Sequence, residues 1–250
     1  YMIDSIVKEI SSLLLENTPK QSKDQKERMY RILNPDISDY VIYGVRMPEI
    51  ERIVKSVLTK FNSTYHDAVE VFRKLTRTNV EELKFAGFFF LNRFKKYFNE
   101  GTVDLLKQEY SEHCHTWSHC DSTCVRLLGP FLGKKGNESL AKKTIDEWSE
   151  SNNLWIKRAS MVILLKITMM RKDFDEDYVF ALVEKMVKHS EANYIEKGIG
   201  WLLKTCSKYK PEPIIDFLLK NKNIFSRLIL RYASEKLPKE RRAEILNKRS

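Results

Sequence analysis

The sequence predicts an all-α protein, and three observations carry that prediction. Apolar residues recur at helical spacing in segment after segment, as in Ile50, Ile53, Val54, Val57, Leu58 and Phe61, or Ile214, Phe217 and Leu218 followed by Phe225, Leu228 and Ile229. Alternating apolar and polar runs of the strand type are almost absent. Turn signals fall at Thr18-Pro19, Asn34-Pro35, Met47-Pro48, Asn62-Ser63, Gly101, Gly133 to Gly136, Lys172-Asp173, Pro211 and Leu237-Pro238. They leave helices of about 10 to 20 residues joined by short connections.

Individual helices also carry start signals. Pro48 suits a first helical position, where its missing N–H costs nothing, and Asp175, Glu176 and Asp177 place negative charge where a helix N-terminus is electropositive. Helix pairs of about 40 residues point to HEAT-like repeats, and residues 1–250 are expected to form a single domain. No strictly self-similar motif recurs, so periodicity leaves a solenoid of stacked pairs and a globular bundle both open.

Composition narrows the partner. A chain of 250 residues can bury a core without disulfides or metals. Its 44 Lys and Arg against 34 Asp and Glu give a formal charge of +10, which favours a polyanion, with nucleic acid ahead of an anionic membrane surface. No run approaches the roughly 18 apolar residues of a membrane span, and residues 11–15 are too short and too polar in their flanks for a secretory signal. The cysteines, Cys114, Cys120, Cys124 and Cys206, lack the dispersed spacing of a secreted disulfide framework, so reduced thiols and an intracellular protein are expected. Phosphate-cradling, dinucleotide-binding, zinc-protease and serine-hydrolase signatures are missing, which leaves nucleotide hydrolysis, hydride transfer and those hydrolase chemistries without support.

The densest chemistry lies between His113 and Cys124, where three His, three Cys, Trp117 and Asp121 share twelve residues. Three readings compete. As a metal site, His115, His119 and Cys120 or Cys124 have workable spacing but no C-x-x-C pair, and no metal is expected. As plain structure, Ser118 is a helix N-cap with Asp121 three residues on, and Trp117 and the cysteines pack. As a functional site, Trp117 and Asp121 lie four residues apart, which sets an indole beside a carboxylate if one helix runs through both. Arg158, Trp155 and Trp201 add a guanidinium and further indoles, a set suited to a cationic substrate. Trp155 and Trp201 sit in apolar helical patterns, where an indole is more often core than a ligand contact, and Trp148 reads as core too. Lys157 and Arg158 point about 100° apart on a helix, so one cleft edge can take only one of them, and Arg158 is favoured.

Four segments in order along the chain carry a resemblance: Tyr43-Gly44-Val45-Arg46-Met47-Pro48, Trp117 through Asp121, Ser151 through Ala159, and Glu196-Lys197-Gly198-Ile199-Gly200-Trp201. Together they resemble the AlkD-type family of DNA alkylation-repair glycosylases. The resemblance implies an all-α HEAT-like solenoid whose concave face cradles duplex DNA. It implies Asp121 as the catalytic carboxylate, Trp117 and Trp201 as its aromatic pair, and Arg158, with Lys157 beside it, as DNA-contacting cations. The implied activity is excision of positively charged purines of the 7-methylguanine and 3-methyladenine type, without enclosing a flipped base in a pocket. The implied partner is double-stranded DNA with alkylated bases, bound by a monomer needing neither metal nor organic cofactor, in cytoplasm and nucleoid or in a nucleus according to origin. Two alternatives remain: a non-catalytic protein binding damaged or branched DNA, and a protein-interaction scaffold.

Overall fold

The computed structural model describes residues 1–188 and 192–247. Among these residues the structure is helical apart from turns and one isolated bridge between Val41 and Val80. The expected all-α, helical-repeat architecture is what they form. Contacts divide the chain into two compact units, Tyr1–Thr123 and Cys124–Ser250.

The first unit contains α1 (Met2–Glu16), α2 (Lys23–Leu33), α3 (Met47–Leu58), α4 (Tyr65–Thr76), α5 (Glu81–Asn92), α6 (Glu100–His113) and α7 (Trp117–Thr123). Local chemistry sets several starts. Ser22 with Gln25, Thr64 with Asp67 and Asn99 with Thr102 form reciprocal side-chain and backbone bonds that satisfy the orphan amides of α2, α4 and α6. Asn99 therefore moves the expected break at Gly101 upstream, and Gly101 lies inside α6. Pro48 falls in the first turn of α3, after Arg46.

At the centre of this unit is α5, packed by α1, α3, α4 and α7. Phe88, Phe90 and Leu91 are fully buried, and so is nearly every other residue of the helix. Its charged residues Glu81, Glu82 and Lys84 are buried as well, each with a task at the edge of another element. Glu82 accepts the backbone N–H groups of Tyr43, Gly44 and Val45 at 2.9, 2.8 and 3.1 Å. Gly44 has φ of +88°, and an added Cβ would lie 2.6 Å from Gln21 Nε2, which accounts for glycine in this turn. The Lys84 ammonium donates to the carbonyls of Thr76 at 2.6 Å and His113, the last residues of α4 and α6. A cation thus serves two helix C-termini, where carbonyls lack partners and the dipole is negative.

The second unit opens with a π-helical turn, Cys124–Leu128, followed by α8 (Gly129–Leu132), α9 (Glu138–Ser149), α10 (Leu154–Arg171), α11 (Glu176–Val187), α12 (Asn193–Tyr209), α13 (Pro211–Lys220), α14 (Arg227–Ala233) and α15 (Lys239–Leu246). Its central helix is α10, against α8, α9 and α12, with Met161, Val162, Ile163 and Leu165 in the core. Asp175 caps α11 by accepting from Tyr178 N, as the acidic run predicts. Helices α12 and α14 cross closely: a Cβ on Gly200 would lie 2.5 Å from Tyr232 Cβ. Trp148 and Trp155 are buried, in line with their reading as core. Within the described residues no helix is long and apolar enough to cross a membrane.

Candidate functional site

Helix α7 begins at Trp117 and runs through Asp121, which meets the condition for an indole and a carboxylate on one helix face. Its N-cap is Thr116, in place of the Ser118 of the structural reading. The Thr116 hydroxyl accepts from His119 N at 3.2 Å and donates to Glu81 Oε1 at 2.7 Å and Oε2 at 3.0 Å. Both Thr116 and Ser118 are good capping residues by type, and the buried Glu81 decides between them.

Trp117 is half-buried, and its indole N–H donates to the Ile32 carbonyl at the end of α2, 3.0 Å away. Asp121 is 7% exposed. Below them, His119 is fully buried with its ring 4.4 Å from that of Tyr110, and burial holds its pKa well below the usual imidazole value. Its ring nitrogens have no hydrogen-bond partner among the described residues. The Tyr110 hydroxyl lies 2.6 Å from Thr123 Oγ1, and His115 Nδ1 lies 2.6 Å from Asp36 Oδ1. All four cysteines are free and buried. Among the described residues no three His, Cys, Asp or Glu side chains are grouped to hold a metal. The His- and Cys-rich segment is thus mostly core, with Trp117 and Asp121 set on it.

Burial governs the ionisable groups beneath α7. Desolvation raises Glu81 to about 7 against the opposing hydrogen bond from Thr116, and lowers Lys84 to about 8. Tyr40 is buried beside Glu81, and both desolvation and that carboxylate raise its phenol. Desolvation also raises the Cys114 thiol.

In the second unit, Asn153 Oδ1 accepts from Trp155 N at 3.0 Å and Ile156 N at 3.1 Å, fixing the start of α10. The Trp155 ring lies 5.0 Å from that of Tyr194. Arg158 is 5% exposed, and its guanidinium donates to the Tyr194 carbonyl. Lys157 is half-buried on the adjoining face. Trp201, on α12, is also half-buried and walls a cleft of about 700 Å³ with Met169, Lys204, Lys208 and Tyr209.

Several basic residues are ion-paired at the surface, among them Arg52, 2.7 Å from Glu49. Lys142, Lys204 and Arg241 lie within ion-pair distance of Asp146, Glu235 and Glu212, as surface residues do. In the first unit, Arg93 and Lys95 join Arg52 and Lys55 around a cleft of about 650 Å³ between α3 and the end of α5. Sequence reasoning passed over Arg52, Lys55, Glu81 and Thr116. A signal for Glu81 was present: the charged Glu81-Glu82-Leu83-Lys84 stretch abuts an uninterrupted Phe85-Ala86-Gly87-Phe88-Phe89-Phe90-Leu91 run, which leaves those charges no exposed helix face to occupy.

These features define the class: an all-α helical-repeat protein that presents an indole and a carboxylate from one short helix. The sequence model of the DNA alkylation repair enzyme family matches residues 13–237, and the chain belongs to that family. Its role is accordingly in the repair of alkylated DNA. A solved structure described as a predicted DNA alkylation repair enzyme from Enterococcus faecalis is similar in fold, with a TM-score of 0.71 at 16% identity over 88% of this chain and 98% of the other. No curated protein sequence matches the chain.

Proposed function

We propose that the chain is a monofunctional DNA glycosylase that removes positively charged alkylpurines, of the 7-methylguanine and 3-methyladenine type, from duplex DNA. The observation that carries this reading is the placement of Trp117 and Asp121 one turn apart on α7 in a member of this repair family. An alkylated purine is already cationic, so the bond from its ring nitrogen to C1′ breaks with the electron pair going to the base, which leaves neutral. The sugar is left as an oxocarbenium ion. Water adds to C1′ and loses a proton, giving an abasic site.

Little acid assistance is needed in such a reaction; stabilising the developing positive charge on the sugar is what accelerates it. The Asp121 carboxylate does this and orients the water. Trp117 and Trp201 offer their faces to the cationic nucleoside, and Arg158 and Lys157 bind the DNA backbone. The cleft of Arg52, Lys55, Arg93 and Lys95 adds phosphate contacts. The protein acts as a monomer on double-stranded DNA.

The test is single-turnover excision from a duplex containing one 7-methylguanine, at equal DNA occupancy for each protein. The expected loss for Asp121→Asn is about 100-fold or more, the size of removing one transition-state electrostatic contact. Equal rates for wild type and variant would remove Asp121 from the mechanism. Salt-sensitive DNA binding with no release by either protein would make the chain a non-catalytic DNA-binding protein.

A further inference from the structure

Glu81 is a buried carboxylate for which the reaction above has no use. Both of its oxygens accept from the hydroxyl of Thr116, the residue that caps α7 and immediately precedes Trp117. From the geometry we infer that Glu81 is a positioning residue for the catalytic helix: as a carboxylate it anchors Thr116, and through the cap it fixes the placement of Trp117 and Asp121. The inference rests on the glycosylase reading for its effect on rate, but its effect on α7 is independent of that reading.

The chemistry of the bond supports the assignment. A hydroxyl donating to an ionised carboxylate makes a hydrogen bond roughly twice as strong as one to a neutral acceptor. The Thr116 oxygen, polarised by that donation, is also the better acceptor for His119 N. Protonation of Glu81 weakens both bonds. The groups around it are Tyr40 on the loop before α3, Glu82 and Lys84 on its own helix, and Cys114 and Thr116 on the connection from α6 to α7. Burial keeps the Cys114 thiol and the Tyr40 phenol neutral near pH 7, and His119 is neutral there too. Glu81 itself changes state close to physiological pH, and the Lys84 ammonium beside it, tied to two carbonyls, loses its proton higher, at about 8, a step that Glu81→Gln leaves in place.

Two readouts on the whole 250-residue chain test this. In the first, protein labelled with 5-fluorotryptophan is followed by fluorine NMR from pH 6 to 9, with the Trp117 resonance identified by its absence in Trp117→Phe. We expect a titration of that resonance with a midpoint near 7, losing more than half its amplitude in Glu81→Gln and in Thr116→Val. In the second, the ratio of wild-type to Glu81→Gln single-turnover excision rates is followed over the same range, so that titration of the substrate itself cancels. The expected ratio is near one at pH 6, where wild-type Glu81 is protonated and resembles glutamine, and rises to about tenfold at pH 8.

Thr116→Ser keeps the hydroxyl and is expected to restore the wild-type pH profile, which a generally destabilised fold would not explain. An undiminished Trp117 titration in Glu81→Gln, or a rate ratio flat with pH, overturns the inference. Loss of the titration in a protein whose wild type excises nothing upholds Glu81 as the anchor of α7 and removes the glycosylase reading alone.

Discussion

The central helices of the two units, α5 and α10, are both buried on nearly every side, yet they are built on different terms. The core of α10 is Met161, Val162, Ile163, Leu164 and Leu165, with Arg158 the charged residue drawn into it. In α5, Glu81, Glu82 and Lys84 lie as deep as the phenylalanines that follow them. Each of these charges reaches a backbone or cap outside its own helix: Glu82 the turn at 43–45, Lys84 the ends of α4 and α6, and Glu81 the cap of α7. From α10 one buried charge reaches outward, Arg158 to the Tyr194 carbonyl at the start of α12, whereas three do so from α5, and they hold four separate segments. Burying charges is costly unless they are paired, so the expense falls where several loops and helix ends need one fixed arrangement.

The largest expected difference between the two helices is the response to losing a charged anchor. Glu82→Ala strands three backbone amides at once and should lower unfolding free energy by about 4 kcal/mol, read by urea denaturation, with Glu82→Gln retaining part of it. A loss under about 1 kcal/mol would mean that the turn at 43–45 finds other acceptors and that the comparison fails on the α5 side. The next effect is pH-dependent. The folded-state pKa of Glu81 is raised from 4.5 to about 7 by burial, so the folded protein holds a proton that the unfolded chain has released, and stability from this group falls as pH rises between those values. Relative to wild type, Glu81→Gln should therefore gain up to about 3 kcal/mol as pH rises from about 4.5 to about 7, and then level off. That gain in stability with a loss in excision rate would separate positioning from packing.

Smaller effects sharpen the comparison on the side of the second unit. Gly200→Ala forces a methyl against Tyr232 and should cost about 1–3 kcal/mol, measured as a lowered thermal midpoint. Ile163→Val should cost about 1 kcal/mol and leave the pH profile of excision unchanged, since it removes only packing. The smallest effect lies on the surface of the first unit. Arg93→Ala and Lys95→Ala should each reduce the slope of log affinity against log salt by about one, with little change in stability.

Most of the helical framework was legible because helical periodicity and capping are local. Ser22, Thr64 and Asn99 cap through residues three positions away, and the acidic start of α11 needs no tertiary information. The four-residue spacing of Trp117 and Asp121 was legible for the same reason. What was not legible depends on partners distant in sequence. Thr116 displaced Ser118 as the cap of α7 because Glu81, 35 residues earlier, engages its hydroxyl. The break at Gly101 was misplaced for a local reason instead, since the Asn99 cap two residues earlier had already started α6. The burial of Arg158 against the Tyr194 carbonyl, 36 residues on, gives no local signal at all.

The turn at 43–45 has one further consequence. Consecutive backbone N–H groups converging on a single point make a nest, the arrangement by which many proteins grip phosphate. Here the nest is filled from within, by the side chain of Glu82. A chain with a formal charge of +10 thereby keeps a carboxyl group of its own at a place where its backbone would otherwise invite an anion from solution. The donors are committed to the fold, and what this turn offers the outside is side chains alone: the half-buried ring of Tyr43 and the exposed guanidinium of Arg46.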